Sequence, residues 1–348
     1  MPLIKIDHFI QMKRITFLLL SVLVLVSCNS KSEVESHIYT GEALGTTYMV
    51  KYTSDREIDF EKSLDSILDT INSSMSTYIT KSDISRINRG DSTVKVDKHF
   101  VKVFNASDKI FRESNGFFDP TVGVLVNAYG FGPEKPVKQI DSIKLDSLRN
   151  LVGFNKIRLN EDGRVLKDNP AIYLDFNAIA KGYTIDVIAE YLEANNVENY
   201  LIELGGELRA SGKNLKSDSD WVVGIDNISG TRKPDNFQAK VTLSNAAMAT
   251  SGNYRKYRTD SLTGQKFVHT INPITGKAER SNLLSASVIA ENCMLADGYA
   301  TAFMALGFDK TRKLLKDLDG VEAYILYSSK EGQIKVFNTS GFQKLILE

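Results

Sequence analysis

Asp297 and Thr301 lie four residues apart in a nearly apolar stretch, ENCMLADGYATAFMALG (residues 291–307). On a helix this spacing places both side-chain oxygens on one face. Burial of an unpaired carboxylate costs several kcal/mol, so the fold must supply a cation, hydrogen-bond donors or a proton. Carboxylate and hydroxyl oxygens suit Mg²⁺, which takes its other ligands from carbonyls, phosphates and water. The structural alternative pairs Asp297 with a Lys or Arg and bonds the Thr301 hydroxyl to the carbonyl of residue 297.

Lys181 marks a second candidate site, in the segment DFNAIAKGYTID. A predicted strand ends at Phe176 and a predicted helix begins near Gly182, so the amides of the turn face whatever lies at the helix entrance. Helix entrances attract anions, and a lysine ammonium there can meet a phosphate. Neither a GxGxxG nor a GxxxxGK[ST] pattern is present, so the sequence supports neither a Rossmann fingerprint nor a P-loop. A solvated lysine at an ordinary turn is the alternative.

His269 is a third candidate, in the segment KFVHTINPITGK between a short strand-like run and a Pro-Gly turn. A histidine whose pKa is near neutral can take a proton from an alcohol nucleophile, which makes it a candidate general base. Of the other histidines, His8 and His37 fall in predicted processing or tether segments, and His99 lies among charges at a helix start. A structural role for a lone histidine is the alternative.

Aromatic side chains cluster around the glycine-rich segments of the first half of the chain. Such rings suit a flat ligand such as a flavin or an adenine, although they also fill ordinary cores. The residues concerned are Tyr78, Phe117, Phe118, Tyr129 and Phe131.

The composition is that of a globular protein with a large core: 348 residues, 42% hydrophobic and 25% charged. One or two domains are expected. The 43 Lys and Arg residues balance the 43 Asp and Glu residues, so no overall field draws the protein to nucleic acid. We therefore expect no nucleic-acid partner.

The amino end predicts export. A short basic segment precedes the apolar run FLLLSVLVLV, which is too short to span a bilayer but fits the core of a signal peptide. The run ends at LVSC, which resembles a bacterial lipobox, in which the cysteine is acylated and begins the mature protein. We expect residues 1–28 to form the signal, with Met12 as the true start, Cys28 as the lipidated residue and the domain outside the cytoplasm. An uncleaved anchor or a plain secretory signal is the alternative. With Cys28 acylated, Cys293 has no intramolecular disulfide partner and is assigned no chemistry.

The candidate residues must be positioned by elements that the periodicity of apolar residues predicts. Residues 29–40 are polar and aperiodic, which suits a tether, so the domain is expected over residues 41–348. Residues 116–136 are predicted to be ordered, irregular and functional. The predicted helices cover residues 57–75, 97–114, 182–195 and 292–306. The predicted strands cover residues 45–54, 171–176, 201–212 with a glycine turn, 221–226 and 238–249, with a terminal hairpin at 323–329 and 333–339. Because there is no regular βαβ rhythm, we expect an α+β fold of mixed sheets with packed helices.

Eight sequence blocks, in the same order, resemble the ApbE-type FAD:protein FMN transferases, also called flavin transferases. The resemblance extends from about Leu44 to Gly307 and implies an ApbE-like α+β fold. Many members of that family are lipoproteins, as Cys28 suggests here. The blocks are LGTTY, MSTYITKSDISRIN, GFFDPTVGVLVNAYGFG, DFNAIAKGYTID, LIELGGELRASG, ATSGNYRKY, HTINPITG and MLADGYATAFMALG.

The resemblance also implies site residues. A Mg²⁺ site would use the carbonyl of Ala178 and the side chains of Asp297 and Thr301. Two departures from the family pattern stand out. DFNAIAKG replaces the commoner DLGGIAKG, which a main-chain ligand tolerates, and INP replaces IDP, so that Asn272 removes a carboxylate near the site. The implied FAD contacts are Leu44, Tyr78, Phe118, Asp119, Pro120, Lys181, Thr270 and Ile271.

The reaction implied by the resemblance is Mg²⁺-dependent transfer of FMN from FAD, the bound substrate, to a Thr hydroxyl of an acceptor flavoprotein, with release of AMP. We hypothesise that His269 takes the threonine proton. In the family the acceptor Thr lies in a short motif on membrane redox subunits or related extracytoplasmic flavoproteins. An anchored protein on the periplasmic side of the inner or outer membrane is expected. Two alternatives are an Mg²⁺-dependent FAD pyrophosphatase giving FMN and AMP, and a flavin-binding lipoprotein without turnover.

Overall fold

A computed structural model describes residues 35–137, 139–228, 237–253, 257–259, 266–268, 270–278 and 281–347, with the backbone alone at 257–259 and 266–268. The predicted signal segment, Cys28 and His269 lie outside the described residues. None of the described helices is both long enough and apolar enough to cross a membrane.

The described residues form runs of strands and runs of helices along the chain, and we number both kinds of element in chain order. The strands are β1 (Glu35–Ala43), β2 (Thr46–Ser54), β3 (Ile157–Leu159), β4 (Val165–Lys167), β5 (Asn199–Leu204), β6 (Glu207–Ser211), β7 (Trp221–Asp226), β8 (Phe237–Leu243), β9 (Ala246–Gly252), β10 (Tyr257–Thr259), β11 (Lys266–Val268), β12 (Leu283–Ala290), β13 (Glu322–Ser328), β14 (Ile334–Asn338) and β15 (Ile346–Leu347). The helices are α1 (Phe60–Met75), α2 (Asp83–Asn88), α3 (Lys98–Glu113), α4 (Gly123–Ala128), α5 (Ser142–Arg149), α6 (Ala180–Ala194), α7 (Cys293–Leu306), α8 (Phe308–Leu314) and α9 (Ser340–Gln343), and residues Phe154–Lys156 form a 3₁₀ turn.

An eight-stranded sheet forms the middle layer, in the order β1-β2-β5-β6-β9-β12-β13-β14. A three-stranded sheet, β15-β8-β7, covers one face, and helices cover the other. Strand β13 shows how one sequence serves both layers. Its residues Ala323 and Ile325 belong to the core under the helices, whereas Tyr324 and Leu326 belong to the core under the small sheet. This alternation is the period-two pattern of a strand buried on both faces, and the α+β expectation is confirmed.

Helices α6 and α7 pack closely where Gly182 faces the start of α7. A Cβ atom at Gly182 would lie 2.3 Å from the carbonyl oxygen of Cys293 and 2.9 Å from the Cβ of Asp297. No side chain fits in that space, so the glycine lets the two helix starts approach each other. The backbone at the beginning of α6 therefore comes within hydrogen-bonding distance of Asp297.

Most predicted elements appear within a few residues, but three predictions are wrong. Residues 35–40, predicted as part of the tether, lie in β1, because His37 and Tyr39 turn inward and stack on Tyr52. Residues 171–176 are not a strand, since the amides of Leu174 and Asp175 bond to the Asn88 side chain and the Pro120 carbonyl.

The third wrong prediction concerns residues 238–249, which form two strands in different sheets. Strand β8 joins the small sheet and β9 joins the large one, with a turn between them at Asn245, whose φ is +48°. The stretch 116–136, predicted to be irregular, contains α4. Helices α2 and α5 were not predicted, because each is at most eight residues long and shows little apolar periodicity.

Candidate functional site

Three charged side chains meet at the start of α6. The Lys181 Nζ lies 2.7 Å from Oε1 of Glu207 and 3.7 Å from Oδ2 of Asp297. Both acids are buried, with 5% of Glu207 and 2% of Asp297 exposed. Burial acts to lower the pKa of Lys181, but the charges of Asp297 and Glu207 outweigh it and raise that pKa. One ammonium therefore faces two carboxylates.

Glu207 reaches this cluster because it begins β6 directly after a two-glycine turn. Gly205 and Gly206 have φ values of +64° and +99°, the left-handed region in which glycine meets no Cβ penalty. Burial raises the pKa of Glu207 to about 7, although the Lys181 ammonium lowers it. The second carboxylate oxygen of Glu207 is buried and has no hydrogen-bond partner within the described part of the chain. Glu207 was not predicted as a site residue, and the pair of glycines directly before it is the sequence feature that could have pointed to it.

Asp297 also accepts a hydrogen bond from the backbone at the start of α6. The Gly182 amide donates to Oδ2 of Asp297 at 3.1 Å. In a regular helix that amide would donate to the carbonyl of residue 178. The Ala178 carbonyl thus lacks the donor that a continuing helix would give it. The predicted binding of a cation by Ala178 and Asp297 stays a prediction.

The hydroxyl of Thr301 lies on the same face of α7 as Asp297, one turn later. Its Oγ1 is 3.5 Å from Oγ of Ser251 on β9, so a second hydroxyl stands beside it. The described residues include no group of three or more His, Cys, Asp or Glu side chains arranged for a metal. A cation at Asp297 would therefore depend on hydroxyl and carbonyl oxygens, which are ligands that Mg²⁺ accepts and softer metals disfavour.

Asp119 holds its own loop together. Its Oδ1 accepts hydrogen bonds from the amide and the hydroxyl of Thr121, at 2.8 and 2.6 Å, and its Oδ2 accepts from the Phe154 amide at 3.2 Å. Burial raises the pKa of Asp119 to about 6, although these hydrogen bonds lower it. Asp119 also lines an open cleft of about 390 Å³, together with Gly116 and Ile274.

Asp175 is a buried acid that sequence reasoning left without a role. Its amide donates to the carbonyl of Pro120 at 2.8 Å, which joins two of the sequence blocks. Burial raises the pKa of Asp175. Partial burial and the charge of Asp175 raise the pKa of Tyr78, whose ring is nevertheless 61% exposed. Tyr78 is therefore available to a ligand, and its predicted contact with FAD stays a prediction.

Thr270 and Ile271 are held from two sides. The Thr270 hydroxyl donates to Oδ1 of Asn253 at 2.9 Å, and Asn253 is buried. Ile271 packs in a cluster with α4, where Leu125 is fully buried. Asn272, which replaces the family Asp, accepts from the amides of residues 274 and 275 through Oδ1. A carboxylate oxygen would make the same turn, so the replacement preserves the backbone and removes the charge.

Leu44 occupies a strained turn between β1 and β2. Its φ is +49° and that of Gly45 is +75°, so both residues of the two-residue turn are left-handed. A leucine in this region costs about 1–2 kcal/mol. Residues held in such conformations cluster at functional sites. The Phe118 side chain, in contrast, is buried in the core under the helices, which leaves its backbone for the predicted contact with FAD.

Hydrogen bonds join seven of the eight sequence blocks, and five of these form a closed circuit. Asp297 accepts a hydrogen bond from the start of α6, and the hydroxyls of Thr301 and Ser251 are 3.5 Å apart. The Thr270 hydroxyl donates to Asn253, and the Tyr129 hydroxyl donates to the Gly276 carbonyl at 3.2 Å. The Pro120 carbonyl accepts from the Asp175 amide and closes the circuit. Glu207 joins the circuit through Lys181. The circuit joins the segments that carry Asp119, Lys181, Thr270 and Asp297. The block of Leu44 reaches the block of Glu207 through the hydrogen bond from the Gly205 amide to the Thr47 carbonyl. Tyr78 belongs to the one block that none of these hydrogen bonds reaches within the described residues, and His269 lies outside them.

Comparisons with known proteins identify the family of this chain. The sequence profile of the ApbE family matches residues 44–325. A FAD:protein FMN transferase of Haemophilus influenzae is 35% identical over 335 residues, which cover 93% of this chain and 94% of that protein. The structure of the flavin transferase ApbE from Vibrio cholerae superposes with a TM-score of 0.78 at 29% identity, covering 90% of this chain and 99% of that one. The apo flavinyl transferase ApbE of Pseudomonas stutzeri gives a TM-score of 0.77 at 30% identity, covering 90% and 97%. This chain therefore belongs to the ApbE family.

Proposed function

We propose that this protein is a FAD:protein FMN transferase, which moves FMN from FAD to a Thr hydroxyl of an acceptor flavoprotein and releases AMP. The observation that carries the proposal is the hydrogen-bonded circuit, because it joins the blocks of the ApbE family around one lysine and two buried acids. A relative that is 35% identical over nearly its whole length has the same named activity.

We propose Mg²⁺ as the metal of this site, held by Asp297, Thr301 and the Ala178 carbonyl. The residues fit such an ion, because two carboxylates share one ammonium and one buried carboxylate oxygen of Glu207 has no partner among the described residues. This leaves a net negative charge in a buried place, which a cation offsets. When bound, Mg²⁺ supplies positive charge to the diphosphate oxygens of FAD.

The proposed reaction exchanges one phosphorus–oxygen bond for another. The threonine oxygen of the acceptor bonds to the phosphorus on the FMN side, and the bond from that phosphorus to the bridging oxygen breaks, so that AMP leaves with that oxygen. Lys181 offers its positive charge to the diphosphate from the entrance of α6, where the helix dipole also favours anions. His269 remains the proposed acceptor of the threonine proton, a step worth about a hundred- to ten-thousandfold in rate.

The proposed setting is extracytoplasmic, with the protein anchored to a membrane through acylated Cys28. The basic segment, the apolar run and the LVSC tetrad support this proposal. An anchor would keep the site near acceptor subunits of membrane redox complexes. Expression with labelled palmitate tests it, since wild type should take up the label and Cys28→Ser should not. Label on Cys28→Ser, or none on wild type, would contradict the lipoprotein assignment.

A transfer assay tests the proposed activity. The protein is mixed with FAD, Mg²⁺ and a purified candidate acceptor, and the acceptor band is examined for flavin fluorescence in a denaturing gel. A fluorescent acceptor whose target Thr→Val variant stays dark, together with AMP release, supports the transferase. EDTA should abolish the signal, and excess Mg²⁺ should restore it.

The same assay separates the two other candidate functions. Free FMN and AMP without a labelled acceptor would mean that water is the nucleophile and that the protein is a FAD pyrophosphatase. Tight FAD binding that is independent of metal, with no AMP over hours, would mean a flavin-binding protein without turnover. Either result with an established acceptor would overturn the transferase proposal.

A further inference from the structure

Glu207 is a buried acid at the α6 entrance that the proposed reaction does not use. Its Oε1 accepts a hydrogen bond from Lys181 at 2.7 Å, and the ammonium stands 3.7 Å from Asp297. Lys181 therefore donates a hydrogen bond to Glu207 and forms a longer ion pair with Asp297. Glu207 is fixed there because β6 begins at this residue, immediately after the two-glycine turn.

The two acids compete for one ammonium. The ammonium already forms an ion pair with Asp297 at 3.7 Å, but it donates its hydrogen bond to Glu207. Without the charge of Glu207, the attraction of Asp297 would draw Lys181 to hydrogen-bonding distance. A cation would then have to displace the ammonium from Asp297 before it could bind.

We infer that Glu207 is a positioning residue that holds the Lys181 ammonium beyond hydrogen-bonding distance of Asp297 and so keeps this carboxylate accessible to Mg²⁺. The inference rests on the proposed function, because that function places Mg²⁺ on Asp297. Glu207 acts through Lys181 and touches neither the metal nor the reacting atoms.

A double-mutant cycle on metal affinity tests this inference without turnover. The variants are Glu207→Gln, Lys181→Met and the double variant, each in the full-length protein in detergent at pH 8. Binding of Mn²⁺, as a probe for the Mg²⁺ site, is followed by the loss of the free-ion EPR signal in the absence of FAD, with Mg²⁺ as competitor. Glu203→Gln is the matched control, since it changes the same charge across the same turn and keeps an oxygen acceptor for the Gly206 amide.

Glu207→Gln should weaken metal binding about tenfold, and Glu203→Gln should leave it within about twofold. In the Lys181→Met background, Glu207→Gln should change the affinity less than about twofold, because no ammonium is left to move onto Asp297. Burial raises the pKa of Glu207, and loss of the ammonium that lowers this pKa favours the neutral carboxyl further. Removing the lysine should therefore rescue the metal affinity that Glu207→Gln loses.

Two results would overturn the inference. An unchanged metal affinity in Glu207→Gln would leave Glu207 with a purely structural role. Equal weakening in both backgrounds would make Glu207 a metal ligand. If Glu207→Gln fails to fold, Glu207→Asp tests the same step, since it keeps the charge but withdraws it from Lys181 by one methylene group. An unchanged metal affinity in Glu207→Asp would then overturn the inference. The proposed function fails separately, if wild type binds the metal but transfers no FMN.

Discussion

The starts of α6 and α7 face each other, but only α7 has an N-cap residue whose side chain accepts a hydrogen bond from its own helix. At α7 every leading amide has a side-chain partner. Oδ1 of Asn292 accepts from Leu295 at 2.9 Å, and the carboxylate of Asp186 accepts from Cys293 and Met294 at 3.0 and 2.8 Å. The leading amides of α7 therefore all have acceptors, and this helix serves as a fixed support for Asp297.

At α6 the N-cap residue, Ile179, offers no side-chain cap. The Gly182 amide donates instead to Asp297 of the neighbouring helix, and Lys181 lies beside it with its ammonium between two acids. A helix start that lacks an N-cap side chain and carries a lysine favours an anion. Of these two adjacent helix starts, one is thus a fixed support and the other is a candidate binding end.

Asp297→Ala should have the largest effect on activity of the substitutions considered at the two helix starts. The change removes the proposed metal ligand and the acceptor for the Gly182 amide, so we expect the rate of FMN transfer to fall about a thousandfold. The rate is measured by acceptor fluorescence at saturating Mg²⁺. Asp186→Asn, the same loss of charge at the α7 start, should keep the rate of the folded protein within about tenfold. Equal losses would show that the two helix starts do not differ in function.

The charge state of Glu207 should make the α6 start sensitive to pH. Its folded-state pKa is about 7, raised by burial above the value of 4.5. Between these values the folded state keeps a proton that the unfolded state has lost, so a rise in pH favours unfolding. In EDTA, the free energy of unfolding of wild type relative to Glu207→Gln should fall by up to about 3 kcal/mol from pH 4.5 to 7.5.

Chemical denaturation at each pH measures this difference. Saturating Mg²⁺ should flatten the pH dependence, because a bound cation favours the ionised carboxylate in the folded state. A difference that stays constant over this pH range in EDTA would show that Glu207 titrates alike in the folded and unfolded states.

Gly182→Ala tests the close approach of the two helix starts. Its Cβ would meet the backbone carbonyl of Cys293 at 2.3 Å, and we expect a loss of stability of about 2 kcal/mol or more. Gly298→Ala is the matched control on α7, because its Cβ would meet the end of the Ile110 side chain, which can move. The control should cost less than half as much. Thermal and urea unfolding of both variants give the comparison, and equal costs would contradict it.

Asn292→Ala should have the smallest effect. Loss of an N-cap side chain costs about 1 kcal/mol, and Asp186 still holds the first two amides of α7. The urea midpoint should fall slightly, and the transfer rate should not change. A large drop in rate would mean that the cap controls the orientation of Asp297 and that α7 is less firmly fixed than its hydrogen bonds indicate.

The sequence predicted elements whose apolar residues repeat over a long stretch, and the helices around residues 60–75, 98–113 and 293–306 are confirmed. The sequence-based prediction was wrong where residues are held by hydrogen bonds or packing to distant segments of the chain. Residues 171–176 are as apolar as a strand, but their amides bond to Asn88 and Pro120 in distant segments. Residues 35–40 are polar enough for a tether, yet alternate inward residues attach them to the sheet.

The same distinction applies to the site. The spacing of Asp297 and Thr301 was visible because both lie on one helix, where local geometry decides the face. The contact between Lys181 and Glu207 was not visible, since it depends on how β6 meets α6 and no periodicity encodes it. The resemblance to a family supplied the order of the blocks, but not the hydrogen bonds that join them. The FAD contacts and the role of His269 stay predictions.

The circuit of hydrogen bonds can form only after most of the chain has been synthesised. Its links join segments from residue 120 to residue 301, and the last of them is α7. A chain that ends before residue 293 lacks the helix that bears Asp297 and Thr301. The complete circuit therefore forms late in synthesis, and a cut that releases the C-terminal third should abolish activity because it removes both residues.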